Sequence, residues 1–136
     1  MPNKSVTPTI IIVENNRTVL RTISQQVQTL GYRVLGALNA TEATDLFLRE
    51  RPVDLVIIDV ILSETESGYA LADALVERDP GLKVLLMSGY SQEDQAKYRT
   101  FKHEYPSFQK PFRRREGSRL LRDMLDSRDS GQPVRD

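Results

Sequence analysis

The chain contains no cysteine and no tryptophan. Without cysteine there is no disulfide, no thiol nucleophile and no thiolate metal site. Its one histidine, His103, excludes a metal centre built from several imidazoles. Charge of one sign is missing too. Lys plus Arg is 19 and Asp plus Glu is 19, so the formal net charge is zero. No overall field draws such a chain to nucleic acid or to an anionic membrane. No apolar run approaches the roughly 18 residues that cross a bilayer. The segment Met1–Pro8 lacks the apolar stretch of a signal peptide. The expectation is a cytoplasmic protein with no membrane partner and no direct nucleic-acid partner.

What is present is an ordinary globular composition. The 136 residues are 39% hydrophobic and 28% charged, enough for one domain with a real core. The expected organisation is an N-terminal tail over 1–8, one domain over 9–127, and a disordered, polar tail over 128–136 containing Gly131 and Pro133.

Three short apolar runs carry the fold: Ile10-Ile11-Ile12-Val13, Leu55-Val56-Ile57-Ile58 and Val84-Leu85-Leu86-Met87. None alternates with polar residues, the signature of strands buried on both faces of a parallel sheet. Arg33–Leu38 and the weaker Ser107-Phe108-Gln109 are the other strand candidates. Between them lie helical patterns. Val19, Leu20, Ile23, Val27 and Leu30 recur at three- and four-residue steps, and Gly31 supplies a stop. Ala43, Leu46 and Phe47 form a second helical stripe, and Tyr69, Leu71, Ala72, Leu75 and Val76 a third. A polar fourth spans 91–103 with Ala96, Tyr98 and Phe101, and Leu120, Leu121, Met124 and Leu125 make a fifth. Five strand–helix alternations predict an α/β sandwich with helices on both faces of the sheet. Right-handed crossovers favour the flavodoxin-like doubly wound (βα)5 fold, with strand order 2-1-3-4-5 and a crevice at the carboxyl ends of strands 1 and 3.

The residues that end the strands would meet at that crevice. They are Glu14-Asn15-Asn16, Asp59, Ser88-Gly89 and Lys110-Pro111. Singly, each has an ordinary explanation as a loop cap, a solvated charge or turn chemistry. Together they make a chemical set. A carboxylate attacks phosphorus, a divalent cation with oxygen ligands offsets phosphoryl charge, and a hydroxyl and an ammonium hold the transferred oxygens.

These stretches, with Ser67-Gly68, Met87-Ser88-Gly89-Tyr90 and Phe108-Gln109-Lys110-Pro111-Phe112, resemble response-regulator receiver domains of two-component signalling. The likeness runs from about Thr9 to Leu125, and its wording is similar to receivers at the C-termini of hybrid histidine kinases. The resemblance implies that Asp59 accepts a phosphoryl group from a histidine kinase or phosphotransfer protein. It implies that Glu14, the 15 position, Asp59 and the backbone carbonyl of Ile61 place Mg²⁺. Ser88 and Lys110 would contact the phosphoryl group, and the bond before Pro111 would be cis. Output would pass to a downstream protein partner through the face of the 91–103 segment, the fifth strand and the last helix, including Tyr98, Phe101, Ser107 and Phe112. The resemblance leaves a homodimer open. It implies no enzyme beyond Mg²⁺-dependent self-phosphorylation and dephosphorylation.

Two positions depart from the family pattern. Asn15 stands where a second acid is usual, so one negative charge is lost and a weakened Mg²⁺ site is expected. Ser107 stands at the switch position, where an aromatic ring is usual. Phe108 points to the opposite side by strand alternation, and Tyr105 lies one pleat earlier. The loop after Asp59 also lacks the usual proline. Two mechanisms therefore stay open: phosphorylation of Asp59 with another output route, or a degenerate receiver acting as a phosphorylation-independent interaction module.

Other functions on this fold fail on quotable residues. A flavin or nucleotide binder needs a phosphate-cradling loop after strand 1, and Glu14-Asn15-Asn16-Arg17 is not one. An aspartyl phosphatase of the haloacid dehalogenase type needs a second acid where Ile61 stands. Arg17 and Arg113-Arg114-Arg115 read as solvated cations or as contacts for an acidic partner.

Overall fold

A computed structural model of the chain describes residues 7–89 and 105–130. The apolar runs become strands. β1 is Thr9–Val13, β2 is Arg33–Ala37, β3 is Leu55–Asp59, β4 is Lys83–Ser88 and β5 is Ser107–Gln109. Every residue of β1 and β3 is buried, as unbroken β-branched and aliphatic runs require when both faces of a sheet are covered. β2 and β5 are the less buried edges. All pairings are parallel and the order is β2-β1-β3-β4-β5, the flavodoxin-like arrangement expected.

The described helices are α1 (Arg17–Thr29), α2 (Ala40–Arg49), α3 (Gly68–Arg78) and α4 (Arg114–Ser130). Local chemistry sets their ends. The Asn16 side chain accepts from Val19 N–H at 3.0 Å, occupying a donor left over at the start of α1. Gly31, at φ 105°, turns the chain out of α1 in a conformation side chains avoid. Asn39 accepts from Glu42 N–H at 2.9 Å, and the Glu42 carboxylate accepts from Leu38 N–H at 2.8 Å. The helix expected over 91–103, with Tyr98, Phe101 and His103, lies outside the described residues. α4 continues through Ser130, past the expected domain limit at residue 127. Both peptide bonds Lys110–Pro111 and Arg51–Pro52 are cis; only the first was expected.

Strand alternation splits the core into two layers. Ile11, Val13, Val56, Ile58, Val84 and Leu86 face α2 and α3, meeting Phe47, Leu71 and Leu75. Ile10, Ile12, Leu55, Ile57, Leu85 and Met87 face α1 and α4, meeting Ile23, Val27, Leu121 and Leu125. One expectation is corrected here. Phe112 was placed on a partner face, but it is only 4% exposed and belongs to the second layer. Its ring fills space left by Gly117, where any Cβ would strike it, and it meets Phe108 edge-on at 5.7 Å. Burying such a ring stabilises the fold by roughly 1.5–3 kcal/mol, so the surface does not retain it.

Candidate phosphoacceptor cleft

Strand register builds the cleft. β1 and β3 pair with Val13 opposite Ile58, so the next residues, Glu14 and Asp59, emerge side by side at the carboxyl edge. β3 and β4 pair with Asp59 opposite Met87, which sets Ser88 one step beyond. The backbone N–H of Lys110 donates to the Ser88 carbonyl at 2.8 Å, bringing the lysine to the same edge. Glu14, Asn15, Asn16, Val19, Asp59, Ile61, Gly89 and Lys110 line one open cleft.

Charge is concentrated there. Glu14 is 2% exposed, Asp59 5% and Ser88 1%. The Lys110 ammonium bridges the two acids, donating to Asp59 Oδ2 at 2.7 Å and to Glu14 Oε1 at 2.8 Å. The other oxygens are held by backbone. Ile61 N–H donates to Asp59 Oδ1 at 3.0 Å, and Asn16 N–H donates to Glu14 Oε2 at 3.1 Å. Burial, and then the neighbouring Asp59, push the Glu14 carboxyl above the usual carboxylate range, although Lys110 partly offsets them. Burial pulls the Lys110 ammonium down, but its hydrogen bonds to Asp59 and Glu14 outweigh this and hold its pKa above the ordinary lysine value.

Two supports were not assigned roles from the sequence. Asn16 caps α1 and also fixes Glu14 through its backbone. Gly68 opens α3 so close beneath β3 that a Cβ there would land on the Asp59 carbonyl oxygen. Its N–H donates to the Val60 carbonyl at 2.7 Å. The signal for both was residue type: an Asn before a helical stripe, and a Ser-Gly pair at a helix start.

The predicted residues divide into two groups. Glu14, Asp59, Ser88, Lys110 and Ile61 come together at the edge, with exposed Asn15 on the rim. The donors that would face a cation are all oxygen: two carboxylates, an amide and a backbone carbonyl. That set suits Mg²⁺, which binds through few carboxylates and keeps several waters. Among the described residues, no group of three His, Cys, Asp or Glu forms a metal-binding cluster. Ser107, by contrast, is exposed and outside the cleft lining. Phe108 packs with the α1 and α4 layer, whereas Tyr105 packs with the α2 and α3 layer, as alternation requires. The Tyr105 hydroxyl donates to Asp73 Oδ1 on α3 at 2.6 Å. Burial first, then that bond, hold its pKa well above the usual tyrosine value. Arg17 is exposed, as are Arg113, Arg114 and Arg115.

A doubly wound sheet with an acid pair, a buried serine and a lysine at its carboxyl edge defines a receiver-type fold. The profile of the family described as "Response regulator receiver domain" matches residues 10–122, and the chain belongs to that family. It is 26% identical over 122 residues to Sensor kinase CckA of Brucella abortus, covering 89% of this chain and 13% of that protein. The chain thus spans a small part of that curated relative. The signal receiver domain of an HD domain-containing protein from Pseudomonas fluorescens superposes with a TM-score of 0.78 at 28% identity, covering 91% of this chain and 98% of that one. Response regulator TrrA of Thermotoga maritima, in complex with Mg²⁺ and BeF, superposes with a TM-score of 0.74 at 22% identity, covering 88% and 100% of the two chains.

Proposed function

We propose that this receiver takes a phosphoryl group from a histidine kinase or phosphotransfer protein onto Asp59 and signals through protein contacts. The observation that carries this reading is the Lys110 ammonium, held 2.7 Å from Asp59 Oδ2 in an open cleft. It orients the carboxylate toward incoming phosphorus. An Asp59 oxygen forms the bond to phosphorus as the N–P bond of the donor imidazole breaks, and the imidazole keeps the electron pair. Lys110 then turns from the carboxylate to the phosphoryl oxygens, and Ser88, buried at the end of β4, lies beside it to do the same. Glu14, Asn15, Asp59 and the Ile61 carbonyl would hold Mg²⁺, which supplies charge neutralisation. With one acid replaced by Asn15, the cleft keeps a single net negative charge from two carboxylates and one ammonium. We expect weaker Mg²⁺ binding and slower phosphorylation than an acid at position 15 would give.

The second reading, a degenerate receiver that binds partners without phosphorylation, is favoured by the neutral Asn15 and by the exposed Ser107. Intact mass after incubation with acetyl phosphate, with and without Mg²⁺, separates the two. A Mg²⁺-dependent gain of one phosphoryl that is lost in Asp59→Ala supports the first reading, and Asn15→Asp should raise its rate. No gain in the native chain, with a gain in Asn15→Asp, selects the second.

A further inference from the structure

The loop between β3 and α3 connects the acceptor to a part of the surface far from Ser107. It begins at Asp59, whose Oδ1 accepts from Ile61 N–H at 3.0 Å. It is closed into one unit. Ile61 forms a β-bridge with Ser67, and Leu62 N–H and Ser63 N–H donate to the Glu66 carbonyl at 3.0 and 3.1 Å. The Ser63 hydroxyl accepts from Thr65 N–H and Glu66 N–H at 3.1 and 3.0 Å. At the far side of this unit the Glu66 carboxylate accepts from Ala40 N–H, the first residue of α2, at 3.4 Å. Carboxylates are stabilised at helix N-termini, where backbone N–H groups lack intrahelical partners. Leu62, Ile61 and Ala40 all pack in the same core layer, so the loop and the start of α2 share a packed base.

We propose that this loop is a lever, with Glu66 as its contact, so that modification of Asp59 is read at residues 39–43 and 61–67. The proposal rests on the acceptor reading above and supplies its output route. An acyl phosphate is no longer a carboxylate: its remaining oxygen is a neutral carbonyl. The Ile61 N–H bond therefore changes from charge-assisted to neutral and weakens. Because the loop is cross-bonded internally, its release at Ile61 displaces the Glu66 end as well. The first turn of α2 then loses its acidic partner. No aromatic ring at position 107 is needed for this.

The test uses the full chain, ¹⁵N-labelled, titrated with beryllofluoride and Mg²⁺. Bound fluorine resonances report occupancy of Asp59, and amide shifts report its consequences. The proposal expects shifts at Ile61, Glu66 and Ala40–Ala43. In Glu66→Ala, bound fluorine and the Ile61 shift persist while the Ala40–Ala43 shifts are lost; in Glu66→Gln, whose amide oxygen still accepts from Ala40 N–H, the Ala40–Ala43 shifts are reduced. Bound fluorine with shifts that leave Ala40–Ala43 unmoved overturns the lever. So do Ala40–Ala43 shifts that survive unchanged in Glu66→Ala. Absence of bound fluorine at saturating Mg²⁺ overturns the acceptor reading itself, and the lever with it.

Discussion

The carboxyl-edge cleft and the β5 strand lie next to each other on the sheet, yet they are held in opposite ways. In the cleft, every oxygen of the two buried acids has a partner, and two backbone amides and one ammonium fix them. β5 is three residues long, with Ser107 and Gln109 exposed. Its entry is tied down by Tyr105 to Asp73 and by the Pro106 carbonyl, which accepts from Leu86 N–H at 2.9 Å. Buried charge tolerates little change, because an unpaired ion in a low-dielectric interior costs several kcal/mol. An exposed strand edge tolerates substitution, because water replaces whatever is lost. Change at Glu14, Asp59 or Lys110 is therefore costly, whereas position 107 sits where the fold registers little. The cleft and β5 are held by separate sets of contacts.

Lys110→Met should break the comparison most. It leaves Glu14 and Asp59 buried with no cation between them. Removing one partner of a buried pair costs about 3–5 kcal/mol, and the partial exposure of Lys110 puts this case at the lower end. Urea unfolding at neutral pH measures it. The native protein carries a pH dependence. Glu14 is held above its ordinary value of 4.5, so the folded state keeps a proton that the unfolded chain releases. Stability should fall as pH rises from 4.5 through the folded value, and Glu14→Gln should flatten that slope. Lys110 acts in the same direction, but in the alkaline range. Its stabilisation is complete below 10.5 and is lost as pH rises through its higher folded value.

Gly68→Ala comes next. The added methyl meets the Asp59 carbonyl oxygen and the Ile58 side chain, neither of which has room to move. Overpacking of this kind costs about 1–3 kcal/mol. Because the strain falls on the acceptor's own backbone, both the unfolding midpoint and the rate of mass gain with acetyl phosphate should drop. An equal substitution at Gly81, which meets only the far end of the Asp79 side chain, should change neither.

How much was legible in the sequence follows the same division. The central strands were, because burial on both faces leaves an uninterrupted apolar run, and a parallel register brings the residues after such runs to one edge. Glu14, Asp59 and Ser88 follow such runs, and Lys110 follows the weaker strand candidate Ser107-Phe108-Gln109. What escaped depends on contacts between segments distant in the chain. Phe112 follows Pro111 like a surface residue, and only the gap at Gly117 draws it inside. The Ser67-Gly68 pair marked a helix start, but its approach to Asp59 depends on how α3 packs beneath β3. The ring of Tyr105 was placed by pleat counting, but its bond to Asp73 joins residues 32 apart in sequence. The Glu66 contact with α2 likewise arises from a stretch, Ser63-Glu64-Thr65-Glu66, whose sequence shows only polar residues.

Tyr105→Phe and Ser107→Ala sharpen the comparison from the weaker side. Tyr105→Phe deletes one charge-assisted hydrogen bond at a half-buried site, worth about 1–2 kcal/mol. The ring keeps its packing, so the loss should appear in urea unfolding and not in the rate of phosphoryl gain at Asp59. Ser107→Ala removes an exposed hydroxyl and should stay within about 0.5 kcal/mol of the native protein. Phosphoryl gain should match the native rate too. A slowed rate in either variant would mean that β5 reaches into the cleft, and that the two regions work as one. Equal rates across both, beside the collapse expected in Lys110→Met, would place the cost of change in the cleft and leave β5 free to vary.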